Sequence, residues 1–326
     1  MSASELSQAA STRAGGKAAL RHFLDIDRLS TETLEALVAL GHAYKRGDVK
    51  APGPATGRTL AMVFEKPSTR TRVSFEVGMG QMGGRATVLD ATMSQLGRGE
   101  TIADTARVLS RYADVIMFRT LSESSLKEMV AHATVPVING LTDKSHPCQI
   151  MADIMTFEEV KGPIKGRTIA WVGDGNNVCT SWIHGAMHFG YVLRIGTPAA
   201  AAPAAELIRY ARDAGAEITL TEDPVVGVRG ADCVVTDTWL SMGNGADTEA
   251  AQEARIKAFA PYRVDESLMA AAASGAVFMH CLPASREREV AAAVIDGPRS
   301  VVWDEAENRL HVQKAILHWC LGGIES

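Results

Sequence analysis

Residues 60–81 read LAMVFEKPSTRTRVSFEVGMGQ. The apolar run Leu60–Phe64 has the length and make-up of a buried strand, and Pro67 cannot continue it. Beyond it Val73, Val77 and Gln81 recur at helical spacing. That puts Ser68 at the N-cap, with Thr69, Arg70 and Thr71 in the first turn. A helix start presents unpaired N–H groups and the positive end of the helix dipole, so it is an anion site before any side chain acts. The hydroxyls of Ser68, Thr69 and Thr71 add donors, and Arg70 adds a bidentate fork suited to phosphate. A solvated basic helix start is the plain rival, but cations in a first turn oppose the dipole unless an anion joins them. The G-x-x-x-x-G-K-[ST] phosphate loop is not present.

The same strand-to-helix alternation runs through the chain. Further strands are expected at Thr59–Phe64 (the run above), Ala86–Leu89, Val115–Phe118 and Val135–Ile138. In the second half they fall at Thr168–Gly173, Val192–Ile195, Glu217–Leu220, Cys233–Thr236, Val277–Met279 and Val301–Trp303. A helix over Thr101–Ala113 has Thr101 as its cap with Asp104 three residues on. Pro147 opens another, which Gly162-Pro163 stops and which joins the two halves. The alanine run Ala199–Ala202 reads as a loop leading into a helix. This predicts an α/β protein of two domains, each a parallel sheet with flanking helices, divided as 1–152 and 153–326, with the active site in the cleft between them.

Composition agrees. At 326 residues the chain is long enough for two domains, and 46% hydrophobic with 22% charged residues is ordinary for a globular protein. The net charge of −5 argues against nucleic-acid or anionic-membrane partners, and no apolar run spans a bilayer. Five cysteines without paired spacing read as free thiols in a reducing compartment, which places the chain in the cytoplasm. The first twenty residues are rich in Ser and Ala and lack the apolar core of a secretory signal; they read as a frayed polar terminus.

Two more stretches address the same cleft. Ligands of open α/β sheets sit beyond the carboxyl ends of the strands, and Arg119 ends the strand DVIMFR there. HPCQ, His146–Gln149, follows the next strand and aims an imidazole and an amide at the same region. His146 and Cys148 alone do not make a tetrahedral metal site, and no second cluster has ligand spacing, so neither metal nor cofactor is expected. Arginines, hydroxyls, a helix start, a histidine and a glutamine together suit a small phosphate ester or anhydride with a polarisable carbonyl.

In order, FEKPSTRTRVSFE, FRT, HPCQIMAD, DGNNV, DTWLSMG and HCLP make the chain resemble the aspartate/ornithine carbamoyltransferases from about Phe23 to the C-terminal helix. DTWLSMG is similar to the segment that marks the ornithine branch. The resemblance implies that carbamoyl phosphate and L-ornithine give L-citrulline and phosphate. It implies a carbamoyl-phosphate domain, an ornithine domain, and a last helix packed back on the first domain. It also implies a homotrimer, or a multiple of trimers, with shared active sites. By position, Ser68, Thr69, Arg70 and Thr71 would hold the phosphate. Arg119, His146 and Gln149 would hold the carbamoyl group, with Arg119 also reaching the phosphate. Gln95 would reach a neighbouring subunit's site. Asn177, Asp237, Ser241 and Met242 would hold the amino-acid end of ornithine. Cys281 and Leu282 would line the reacting amine, and Arg309 would close the site. Arg119, His146, Asp237 and Cys281 would then be the catalytic set.

Two decoys fail on their residues. GDGNNV after the strand TIAWV resembles half a dinucleotide fingerprint, but Val178 stands where the last glycine belongs, and no acidic residue ends the next strand. His280-Cys281 suggests a cysteine nucleophile, but strand neighbours point to opposite faces, so His280 is read as buried and structural. Aspartate as the amine substrate would require extra cations in the second domain, where DTWLSMG offers Asp237 and a thioether. Acetylornithine and putrescine stay open as substrates, because a sequence does not measure the room around the α-amine.

Overall fold

The computed structural model describes residues 20–49, 53–90, 95–96, 99–240 and 248–323. The N-terminal polar stretch, apart from residue 20, and the pair Ser241 and Met242 lie outside them. After a 3-10 turn at Ile26–Arg28, Ser30 caps α1 (Thr31–Arg46), which ends on Gly47 at φ +78°. The first sheet and its helices follow as β1 (Thr59–Phe64), α2 (Thr69–Gln81), β2 (Arg85–Asp90), α3 (Ile102–Tyr112), β3 (Val115–Arg119), α4 (Glu123–His132) and β4 (Val137–Leu141). Next comes α5 (Pro147–Lys161). The second sheet follows as β5 (Thr168–Val172), α6 (Asn177–Phe189), β6 (Val192–Gly196), α7 (Ala205–Asp213), β7 (Glu217–Thr221), α8 (Pro224–Val228) and β8 (Cys233–Thr236). The chain ends with α9 (Glu249–Phe259), α10 (Glu266–Ala271), β9 (Val277–His280), α11 (Ala292–Ile295) and α12 (Val302–Cys320).

Both sheets are parallel, with strand orders β2-β1-β3-β4 and β7-β6-β5-β8-β9. Each order reverses direction once, between β1 and β3 in the first sheet and between β5 and β8 in the second. Neighbouring loops diverge at such a point and leave a crevice beyond the carboxyl ends of the strands. The two crevices form one cleft. The residues that line it follow β1, β3 and β4 on one side and β5, β8 and β9 on the other.

Two sequence expectations need correction. Val301–Trp303 is not a strand: Val301 is the N-cap of α12, and Trp303 is 59% exposed. The local β-branched pair is overridden because α12 buries Val312, Ile316 and Leu317 against α1, α2 and α5. The fourth strand starts two residues later than expected, at Val137. The helix expected after Ser68 is α2; Val73 and Val77 lie on its exposed side, and it buries Thr71, Phe75, Gly78 and Met79.

Position 152/153 falls inside the unbroken helix α5, so the two halves share that element. The largest apolar cluster joins them, running from Leu60 and Met62 through Ile150, Met155 and Val312 to Trp171 and Trp182. Packing is tight at the centre of this seam. A Cβ on Gly41 would stand 3.0 Å from the Met155 sulfur and 3.4 Å from the Val312 Cα. Among the described residues, no helix is long and apolar enough to cross a membrane.

Candidate active site

The cleft is lined on its first-domain side by Lys66, Ser68, Arg70, Arg119 and His146, and on its second-domain side by Asn176, Asn177, Asp237, Cys281 and Leu282. Arg309 reaches it from α12. On the first side Ser68 caps α2, but its Oγ receives only a long contact of 3.4 Å from the Thr71 N–H. Thr71 lies fully buried just beneath the wall, where its Oγ1 accepts from Arg309 Nη2 at 2.8 Å and from Arg119 Nη1 at 3.4 Å. Arg70 adds a third guanidinium to this wall.

Arg119 is drawn down to about 10, by burial first and then by the charges of Arg309 and Arg70. His146 is held well below its ordinary value by burial, then by Arg309, Arg119 and Arg70, so its imidazole is neutral at neutral pH. Its backbone N–H is anchored on Ser181 Oγ at 2.8 Å. Among the described residues, Arg119 Nε and Arg309 Nε are buried donors that meet no acceptor.

The second side carries the opposite character. Asp237 Oδ1 accepts from the Cys281 thiol at 3.1 Å, and Oδ2 accepts from Asn176 Nδ2 at 2.7 Å. Burial and then Asp237 push the Cys281 thiol well above its ordinary range, so it is a neutral S–H donor rather than a thiolate. Asn177 Nδ2 ties this wall to the first domain through the Thr142 carbonyl at 2.8 Å. His280 is fully buried, with Nδ1 accepting the Leu282 N–H at 2.9 Å, which agrees with a structural reading.

Most of the residues singled out from sequence meet here, and some do not. Thr69 is exposed and does not line the cleft. Gln149 is fully buried behind the wall instead of pointing into the cleft, its Oε1 accepting from Arg309 at 2.7 Å. Gln95 borders a different groove, along β2 and α3. Sequence reading missed Lys66 and Asn176. The signal for Asn176 was its place before the helix, as an N-cap. It also missed that folding brings the ligand-type atoms of Asp237, His280 and Cys281, and of Asp25, Asp27 and His184, within 4.8 Å of one another.

A cleft with a cationic, phosphate-type wall facing a carboxylate–thiol wall, built at the switch points of two parallel sheets, defines a transferase of the carbamoyl-phosphate class. The family models for the carbamoyl-P binding domain and the Asp/Orn binding domain of aspartate/ornithine carbamoyltransferase match residues 21–159 and 165–320, and the chain belongs to that family. It is 58% identical over 306 residues to the ornithine carbamoyltransferase of Nitrobacter winogradskyi, covering 93% of this chain and 97% of that one. It is 54% identical over 310 residues to that of Cereibacter sphaeroides, covering 93% and 100%. Among solved structures, the ornithine carbamoyltransferase from Pyrococcus furiosus superposes with a TM-score of 0.88 at 47% identity, covering 94% of this chain and 99% of that one.

Proposed function

We propose that this cleft transfers the carbamoyl group of carbamoyl phosphate to the δ-amine of L-ornithine, giving L-citrulline and phosphate. The observation that carries the reading is the pairing of three guanidiniums on one wall with the Asp237–Cys281 pair on the other. The phosphate sits at the N-terminus of α2 with Ser68 and Arg70, and the carbamoyl oxygen faces Arg119 and His146. Asn177, Asp237 and Leu282 hold ornithine, together with Ser241 and Met242.

Free ornithine's δ-amine has a lysine-like pKa of about 10.4, so the site must favour the neutral amine. Desolvation in the cleft does so. The lone pair then attacks the carbamoyl carbon, and negative charge grows on the carbonyl oxygen, where Arg119 and the neutral His146 stabilise it. The C–O bond to phosphate breaks and the phosphate leaves against Arg70. The proton lost by the amine passes by way of Asp237 and Cys281 and ends on phosphate. Gln149 supports the wall from behind, with Oε1 accepting from Arg309 and both hydrogens of its Nε2 given to carboxyl groups. The division into a carbamoyl-phosphate half, 1–152, and an ornithine half, 153–326, follows this chemistry. The five free thiols fit a cytoplasmic setting.

We further infer a homotrimer, or a multiple of it, with shared sites. In support, Gln95 lies away from its own cleft, on the groove beside the edge strand β2, where Tyr112 is 77% exposed and Val108 44%. A citrulline assay with ornithine, aspartate, acetylornithine and putrescine tests the reaction; product from ornithine alone is expected, and none from it would overturn the reading. Hybrids of Gln95→Ala and Arg70→Ala subunits, each inactive alone, test the sharing. Activity should return on mixing, and none at any ratio would count against shared sites.

A further inference from the structure

Asp153 and Glu305 are each 1% exposed, and both lie behind the cleft rather than in it. Two ionised carboxylates so far from water would be costly. One amide nitrogen serves both, since Gln149 Nε2 donates to Asp153 Oδ1 at 2.7 Å and to Glu305 Oε1 at 3.0 Å. The two oxygens that share this nitrogen are therefore close neighbours in a buried site, where two like charges are disfavoured unless one carboxyl group keeps a proton. Arg309, on the other end of Gln149, supplies one positive charge and is balanced by one negative charge. The cluster is also wired to both walls. Arg309 Nη2 donates to Thr71 Oγ1, and Glu305 Oε2 accepts the backbone N–H of His280, the residue before Cys281, at 2.9 Å.

We propose that Asp153 and Glu305 hold a single proton between them and act as positioning residues for both walls of the site. Through Gln149 they fix Arg309 and Thr71 against carbamoyl phosphate, and through His280 they fix the strand end that carries Cys281. The inference rests on the carbamoyl-transfer reading for its kinetic consequence, though not for the proton itself. Burial raises both carboxyl groups. Asp153 is pushed up to about 7 and Glu305 well above its ordinary value, so the pair as a unit keeps a proton at neutral pH. The other groups facing the pair are Arg309, Asp237, the Cys233 and Cys281 thiols and the Tyr191 hydroxyl. Burial raises the last three, so they are neutral.

The sign of the pH effect follows. Glu305 binds its proton more tightly in the folded chain than at its ordinary value of 4.5. Its contribution to stability is therefore full below 4.5 and is lost as pH rises through the folded value. Glu305→Gln keeps the neutral partner at every pH and removes that loss.

The test compares Glu305→Gln, Asp153→Asn and the double variant. Either single amide leaves one carboxylate to face Arg309, so kcat/KM for carbamoyl phosphate should stay within about tenfold of wild type. The double variant leaves Arg309 without a counter-charge. It should lose on the order of 10²-fold beyond the product of the singles, chiefly through KM for carbamoyl phosphate. Infrared spectra at neutral pH should show a carboxylic-acid C=O band in wild type that disappears in either single variant. The melting temperature of Glu305→Gln, relative to wild type, should climb with pH above 4.5. An acid band that persists in both single variants, or a double variant equal to the product of the singles, would overturn the proposal. If the double variant does not fold, the infrared and pH comparisons on the single variants decide. An acid band lost as expected in a protein that makes no citrulline would support the shared proton and overturn its assignment to this reaction.

Discussion

Of the helices that present their N-termini to the cleft, α2 and α6 use them differently. At α2 the cap is loose: Ser68 Oγ accepts at 3.4 Å, and the first turn holds Arg70 and no acid. At α6 the cap is complete. Asn176 Oδ1 accepts from the Val178 and Cys179 N–H groups at 2.9 and 3.1 Å, while its Nδ2 grips Asp237. A helix start becomes an anion site when its own chain leaves it unsatisfied and gathers cations around it. When the cap closes on itself, the same element becomes a scaffold that aims a neighbouring side chain.

The sharpest way to break this contrast is Arg70→Ala. It should leave the fold intact and lower kcat on the order of 10² or more, because the clamp on the leaving phosphate is lost. Steady-state rates and thermal unfolding check it, and a variant within a few-fold of wild type would remove Arg70 from the mechanism. Next in size is Asn176→Ala, which opens the α6 cap and frees Asp237. It should raise KM for ornithine about tenfold and lower stability by about 1 kcal/mol, leaving KM for carbamoyl phosphate nearly unchanged. Equal rises in both KM values would show that the two helix starts are not specialised. The smallest effect concerns His146, whose folded pKa lies well below 6.5. The unfolded chain takes up a proton there that the folded chain refuses, so stability holds above pH 6.5 and falls as pH drops below it. Replacing His146 by Gln should flatten that fall, by about 1 kcal/mol at pH 5.5, in denaturant titrations at several pH values. An unchanged slope would mean that His146 titrates normally.

The sequence carried what local chemistry decides. Pro67 followed by Ser68 announced the start of α2, and Thr101 with Asp104 announced α3, whose cap is made at 3.1 Å. It misread what distant packing decides. Val301–Trp303 favours a strand over three residues, yet burial along the following turns makes it a helix start. Asn176 was hidden inside an apparent nucleotide fingerprint, because its partner Asp237 comes from another strand. Gln149 was assigned to the cleft, and its buried place depends on Glu305 and Arg309, which only the return of α12 brings near.

That return has a mechanical consequence. The chain leaves the first sheet along α5 and comes back along α12, which lies against α1, α2 and α5 after starting beside β9. Two bodies joined at one point can swing and spin freely. Joined at two, they keep only rotation about the line through both joints. Here the halves are tied along α5, along α12 and across the apolar seam between them, so the placement of Asp237 relative to Arg119 is set by how the chain is threaded.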